Sequence, residues 1–172
     1  MENKNYKERL KDITTFIFDV DGVFTNTQVF VNNDGDLLRS MNMKDGFALK
    51  TAVAKGYTIC ILTGGGNVGV QKRFENLGVT DIFMLRHQKL STFLEYQKAK
   101  GLKTEQILYM GDDLPDISPM RHAGLATCPQ DAVPEVKAVA HYISHREGGQ
   151  GAVRDVIEQV LKVRGDWQIP EN

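Results

Sequence analysis

Cysteine is nearly missing: two residues of 172. Cys60 and Cys128 each sit in an apolar run without a CxxC partner. That excludes a disulfide framework and a thiolate zinc site, and predicts two buried free thiols. An excess of charge of one sign is missing too. Lys plus Arg is 21 and Asp plus Glu is 22, a net charge of −1. Broad, non-specific nucleic-acid binding draws on many basic contacts, so no nucleic-acid partner is expected. A small basic pocket for a phosphate ester stays open. No apolar run approaches the roughly 20 residues that a membrane-spanning helix needs, so no membrane partner is expected. Met1 to Asp12 is charged and lacks an apolar h-region, so the expectation is a soluble cytoplasmic protein without a signal peptide. Repeats, low-complexity tracts and Pro/Gly/Ser linkers are also absent. With 172 residues, 41% of them hydrophobic, the chain suits one domain with a real core over residues 1–172.

What is present is an alternation. Ile13–Val20, Tyr57–Thr63, Asp81–Leu85, Ile107–Gly111 and Gly124–Cys128 are continuously apolar and β-prone, as strands covered on both faces are. Between them lie helix candidates: Asp45–Lys55, Asn67–Leu77, Gln88–Lys100, Leu114–His122 and Gly151–Val163. Strand–helix–strand repetition predicts an α/β fold, a doubly wound Rossmann-like parallel sheet with helices on both sides. One stretch breaks the pattern. Gln28–Val31 and Leu37–Met41 flank Asp34-Gly35, a hairpin signature. A β-hairpin flap after the first strand, over about 25–42, is expected.

Ligands of such sheets bind beyond the carboxyl ends of the strands. Asp19 and Asp21 close the first run, in Phe18-Asp19-Val20-Asp21-Gly22. A strand's period of two sends both carboxylates out on one face, where they repel unless a cation or proton lies between them. Alone, they read as solvated turn aspartates. Thr63-Gly64 ends the second run and offers a hydroxyl and free N–H groups to an oxyanion; alone, Thr63 is a helix N-cap. Lys89 follows the third run; alone, it is a solvated face residue. Gly111-Asp112-Asp113-Leu114-Pro115-Asp116 follows the fourth; alone, its carboxylates cap a helix. Taken together, successive strand ends put a carboxylate pair, a hydroxyl, an ammonium and a carboxylate cluster on one rim.

Gly64-Gly65-Gly66-Asn67-Val68-Gly69 also matches GxGxxG between a strand and a helix. A dinucleotide loop normally follows the first strand of its unit, and here the first strand carries the aspartates. No strand with an acidic end follows at the usual distance of about 20 residues. The plainer reading is a loop that lets backbone approach phosphate or substrate. His87, near Lys89, reads as a surface residue or as a phosphate-facing one. His122, His141 and His145 share no ligand spacing with carboxylates, so no zinc site is assigned.

The ordered rim set resembles the haloacid dehalogenase superfamily of phosphotransferases over nearly the whole chain. Phosphate monoesters hydrolyse slowly, so catalysis is positioning and charge stabilisation. The resemblance implies that Asp19 is a nucleophile that carries the phosphoryl group. It implies that Asp21 is the acid for the leaving alcohol and then the base for water. It further implies Mg²⁺ held by the carboxylates of Asp19 and Asp112 and the backbone carbonyl of Asp21. Asp113 and Asp116 would hold metal-bound waters, and Thr63, Gly64 and Lys89 would bind phosphoryl oxygens. Many members carry a separate cap domain, but residues 22–62 hold only the hairpin and one helix, and residues 64–88 one helix and one strand. No cap domain fits.

Finer features narrow the branch. Asp19-Val-Asp-Gly-Val-Phe-Thr25, Lys44-Asp45-Gly46 and Arg146-Glu147-Gly148-Gly149-Gln150-Gly151-Ala152-Val153-Arg154-Asp155 are similar to the capless sugar-acid phosphatases, and within them to the 3-deoxy-D-manno-octulosonate 8-phosphate phosphatases. That implies a sugar acid phosphate substrate and lipopolysaccharide sugar biosynthesis. It also implies a homotetramer whose C-terminal segments, about 146–172, cover neighbouring sites. Gly148, Gly149 and Arg154 would then close a neighbour's pocket, Asp45 and Gly46 would lie near the sugar acid, and Arg73 would be a further cation. Apart from the resemblance, the tail 166–172, with Trp167 and Pro170, reads as docked on a neighbour or as frayed. Position 65 departs from the pattern: many octulosonate phosphatases have arginine there, and this chain has Gly65. A nine-carbon sugar acid phosphate stays open as the substrate. So does a receiver-like module that is phosphorylated on aspartate and read by a partner.

Overall fold

The computed structural model describes residues 5–167. Pro170 and the rest of the C-terminal tail beyond Trp167 lie outside the described residues. Strands β1 (Thr15–Phe18), β4 (Thr58–Leu62), β5 (Asp81–Phe83), β6 (Ile107–Met110), β7 (Leu125–Cys128) and β8 (Tyr142–Ile143) form one parallel sheet. Its order is β5-β4-β1-β6-β7-β8. β1 is central: Phe18 pairs with Ile61 on one side and Met110 on the other.

Side chains alternate between two cores, as the strand period requires. Phe16, Phe18, Ile59, Ile61, Leu108 and Met110 face one core. Helices α2 (Met43–Ala54), α3 (Val68–Asn76) and α7 (Ala152–Val163) cover it. Ile17, Cys60, Leu62, Tyr109 and Cys128 face the other. Helices α4 (Lys89–Lys100), α5 (Ile117–His122) and α6 (Pro134–Lys137) cover that one. Both cysteines are buried free thiols, as expected. A short helix, α1 (Tyr6–Arg9), precedes the sheet. No helix among the described residues is long and apolar enough to cross a membrane.

The strands are shorter than the apolar runs. β1 ends at Phe18, two residues before the expected Val20, because the chain turns there: the amides of Val23, Phe24 and Thr25 all donate to the Val20 carbonyl. β8, α1 and α6 were not expected; each is two to four residues long and leaves no periodic pattern. The helix expected from Leu114 opens instead as a 3₁₀ turn, Leu114–Asp116, before α5. The expected hairpin narrows to β2 (Phe30–Val31) and β3 (Leu37–Leu38), paired antiparallel across Asp34-Gly35. Its apolar side chains stay exposed, Phe30 at 70% and Val31 at 66%.

Candidate active site

A cavity of about 570 Å³ opens where the carboxyl ends of β1, β4, β5 and β6 meet. Asp19, Asp21, Thr63, Gly64, Lys89, Asp112, Asp113 and Asp116 all line it. Four strand ends reach one cavity because a parallel sheet points all of them the same way.

Lys89 is the floor of this cavity. Its Nζ lies 2.9 Å from Asp19 Oδ2 and 2.7 Å from Asp116 Oδ1. Burial opposes the ammonium charge, but Asp19 and Asp116 outweigh burial and hold its pKa above the usual value. Asp116 is fully buried and takes three further donors: the Tyr109 hydroxyl at 2.7 Å and the amides of Asp112 at 3.3 Å and Asp113 at 3.5 Å. It therefore anchors the lysine and the loop after β6 together.

The other side of the cluster is short of positive charge. Burial, and then the nearby Asp116 carboxylate, push Asp19 up to about 7 despite Lys89. Burial, and then Asp19, push Asp112 up to about 8. Asp19 Oδ1 and Asp112 Oδ1 are buried without a hydrogen-bond partner among the described residues. Buried polar atoms are nearly always paired, so two orphaned carboxylate oxygens mark a place for a cation. One oxygen from each of Asp19, Asp112 and Asp116 lies within 4.8 Å of the others. An all-oxygen donor set of this kind fits a hard divalent ion.

Gly22 makes the cluster possible. Its φ of +81° is a left-handed conformation that glycine adopts without strain. A Cβ at this position would land on the Asp112 carboxylate.

The remaining expected residues have local partners. Asp21 is gripped by Arg39, whose Nε lies 2.5 Å from Oδ1 and whose Nη2 lies 3.1 Å from Oδ2. Thr63 Oγ1 accepts the Gly65 amide at 3.1 Å. Asn67, not Thr63, caps α3. Asp113 caps the 3₁₀ turn through the Leu114 amide at 2.8 Å. His87 lines the cavity beside Gly64.

Within one chain, the structure does not bring Asp45, Gly46, Arg73, Gly148, Gly149 and Arg154 to this cavity. Asp45 lies under the start of α7, where Oδ1 accepts the Arg154 amide at 2.7 Å. Gly151, at the N-cap of α7, has no side chain to cap the helix, so a carboxylate from α2 does it. Burial pushes Asp45 up to about 6. Gly46 packs against the Arg73 guanidinium, and Arg73 reaches the Met43 sulfur at 3.6 Å. Gly148 and Gly149 pack on the turn after β1: their amides donate to Asp131 at 2.8 Å and to the Val23 carbonyl at 3.0 Å. The Arg154 side chain pairs with Glu158 and lies over Trp167. Sequence reasoning missed Arg39, Tyr109 and Arg86. Arg86 follows β5, so the rule that selected Lys89 also points to it. Arg39 and Tyr109 leave no such mark.

Residues 78–157 match the family model of haloacid dehalogenase-like hydrolases. A 3-deoxy-D-manno-octulosonate 8-phosphate phosphatase of Yersinia pestis is 32% identical over 154 residues, which is 90% of this chain and 82% of that one. The chain belongs to this phosphatase family. Solved structures agree. A family member from Yersinia pestis superposes with a TM-score of 0.91 at 30% identity, covering 95% of this chain and 88% of that one. A Moraxella catarrhalis member, solved with magnesium, phosphate and the sugar acid KDO, superposes with a TM-score of 0.88 at 32% identity, covering 91% and 90%.

Family membership makes the Gly22 contact testable. Gly22→Ala forces Asp112 off its position, and misplacement by about 1 Å can cost roughly 100-fold in rate. A fall in kcat of at least that order is expected, with a retained circular dichroism spectrum.

Proposed function

We propose that this chain is a Mg²⁺-dependent phosphatase that hydrolyses 3-deoxy-D-manno-octulosonate 8-phosphate to the free sugar acid and phosphate. The supporting observation is the buried cluster of Asp19, Lys89, Asp112 and Asp116, with two orphaned carboxylate oxygens in the cavity. The relatives named above act on this ester, and one was solved with magnesium. Its product would serve lipopolysaccharide sugar biosynthesis.

An Asp19 oxygen attacks phosphorus, and the bond from phosphorus to the alcohol oxygen of the sugar breaks. Asp21 gives the leaving oxygen its proton. Water then attacks the aspartyl-phosphate, Asp21 takes the proton from that water, and the Asp19 carboxylate returns with release of phosphate. Both Asp21 oxygens accept from Arg39, which orients the carboxyl group at the cavity wall. Lys89, the Thr63 hydroxyl and the backbone around Gly64 receive the phosphoryl oxygens. Mg²⁺, held by Asp19, Asp112 and the Asp21 carbonyl, would neutralise charge on the transferring group. Asp113 and Asp116 would order its waters.

The chain is further proposed to be a cytoplasmic homotetramer. Val29, Phe30, Val31, Leu37 and Leu38 lie exposed on and beside the hairpin strands, and apolar side chains gathered in this way suit burial against other copies. Neighbours would then cover the open cavity, through Gly148, Gly149, Arg154 and the C-terminal tail. Asp45, Gly46 and Arg73 would act there near the sugar acid. Light scattering should give a mass of four chains.

The deciding assay is phosphate release with Mg²⁺ from the eight-carbon ester and from a nine-carbon sugar acid phosphate. A kcat/KM at least about 10-fold higher on the eight-carbon ester, a difference of about 1.4 kcal/mol, is expected. The reverse order would assign the nine-carbon substrate. A stable aspartyl-phosphate without turnover would assign the receiver-like reading.

A further inference from the structure

Both arms of the metal site lean on a segment that does not line the cavity. Gly148, in the stretch between β8 and α7, is buried against the turn after β1. A Cβ there would land on the Gly22 carbonyl and come within 3.0 Å of the Thr25 carbonyl. Gly148 has no positive φ, so the position requires the missing side chain, not the backbone freedom of glycine. Gly22 in turn abuts the Asp112 carboxylate and follows Asp21, whose carbonyl would hold Mg²⁺. A shift of Gly148 is therefore felt at two of the three groups that would hold the ion.

The other arm is tied to the same segment. The Asp112 carbonyl accepts the Val133 amide at 3.0 Å, and the Asp112 amide donates to Asp116 at 3.3 Å. Val133 belongs to the loop between β7 and α6, and two bonds join that loop to the Gly148 segment. The Gln130 amide donates to the Arg146 carbonyl at 2.9 Å, and the Gly148 amide donates to Asp131 Oδ1 at 2.8 Å. A closed ring results. Gly22 sits against Asp112, Asp112 is bonded to Val133, Asp131 is bonded to Gly148, and Gly148 sits against Gly22. Two carboxylates take part in it. That of Asp112 would hold the metal, whereas Asp131 is exposed and does not line the cavity.

We propose that Asp131 is a positioning residue for the metal: by holding the Gly148 amide it keeps the Gly22 turn seated against Asp112, and so sets the affinity for Mg²⁺ without touching the ion. This role rests on the Mg²⁺-dependent reading given above. Mg²⁺ is small and demands near-ideal octahedral spacing of its oxygens, so a small shift of one arm against the other weakens binding. Groups that orient metal ligands from behind typically change affinity by about 10- to 100-fold when removed. Asp131 acts through Gly148 and Gly22, which puts it at the lower end of that range. The role also gives Gly148 a task within its own chain, whatever covers the cavity.

The test titrates Mg²⁺ into the metal-free, full-length chain at pH 8 and reads Kd from the rise in Tm. Wild type, Asp131→Ala, Asp131→Asn and Gly148→Ala are compared. Asp131→Ala removes both the acceptor and the charge. Asp131→Asn removes only the charge, because its amide oxygen still accepts from Gly148. In Asp131→Ala, Kd should rise by about 10-fold. Its metal-free Tm should fall by no more than about 4 °C, as the loss of one exposed hydrogen bond allows. Asp131→Asn should stay within about 3-fold of the wild-type Kd, since salt screens a charge that does not touch the ion. Gly148→Ala presses on the Gly22 carbonyl directly and should weaken Mg²⁺ at least as far as Asp131→Ala. If Gly148→Ala does not fold, the two Asp131 variants decide. A wild-type Kd in Asp131→Ala, whatever its Tm, would overturn the proposal alone. Equal weakening in Asp131→Asn and Asp131→Ala would assign the effect to charge at a distance, and would overturn it too. A wild type that Mg²⁺ does not stabilise would overturn the metal reading, and the proposal with it.

Discussion

Asp19→Asn is expected to lower kcat by roughly 10⁴-fold or more, the scale of losing a covalent nucleophile, while leaving the fold intact. The two halves of this result have one physical origin. Asp19 is 7% exposed, its Oδ1 has no partner, and burial raises its pKa to about 7. Ionised, it costs the metal-free protein stability. A neutral amide of the same shape removes that cost, and Lys89 keeps Asp116 as its counter-charge at 2.7 Å. Without divalent ions, the thermal midpoint of the variant should equal or exceed that of the wild type at pH 8. Turnover close to wild type would overturn the assignment of Asp19 as nucleophile. A midpoint far below wild type would show that the Asp19–Lys89 pair holds the fold together.

The second large effect links pH to magnesium. Asp19 and Asp112 rise from an ordinary 3.8 to about 7 and about 8 in the folded chain. The folded state therefore binds more protons than the unfolded state between about pH 4 and pH 8. In that window, stability without divalent ions falls as pH rises. A loss of several kcal/mol, at least about 5 °C in Tm, is expected between pH 5 and pH 8. Magnesium acts against the same deficit, since it binds the ionised carboxylates. Its stabilising effect should thus be small at pH 5 and largest at pH 8. Melting curves at both pH values, with EDTA or with Mg²⁺, decide the matter. A metal-free Tm that rises from pH 5 to pH 8 would contradict the buried, cation-deficient cluster.

Much of this site was legible along the chain. Asp19, Thr63, Lys89 and Asp112 each follow an apolar run, and a parallel sheet delivers every such position to one rim. The hairpin was legible from Asp34-Gly35, although its paired strands are only two residues each. Asp116 was legible as part of the acidic cluster, but not as the residue that grips Lys89, Tyr109 and the loop amides. Asp45 was legible as part of a motif, but not as the cap of a helix more than a hundred residues away. The Arg39–Asp21 pair joins residues from a strand end and a hairpin, and nothing in the local spacing of either announces the other.

The division has a physical reason. Strand positions, two-sided burial and the polar residue that ends each strand are local properties, written in side-chain periodicity and turn chemistry. The sequence by itself determined those, and with them the chemistry of the rim. Which charges neutralise one another depends on distances of about 3 Å between segments far apart in the chain, and only the tertiary structure decided that. It matched Lys89 to Asp19 and Asp116 and Arg39 to Asp21. It also left two carboxylate oxygens in that cavity without a partner among the described residues.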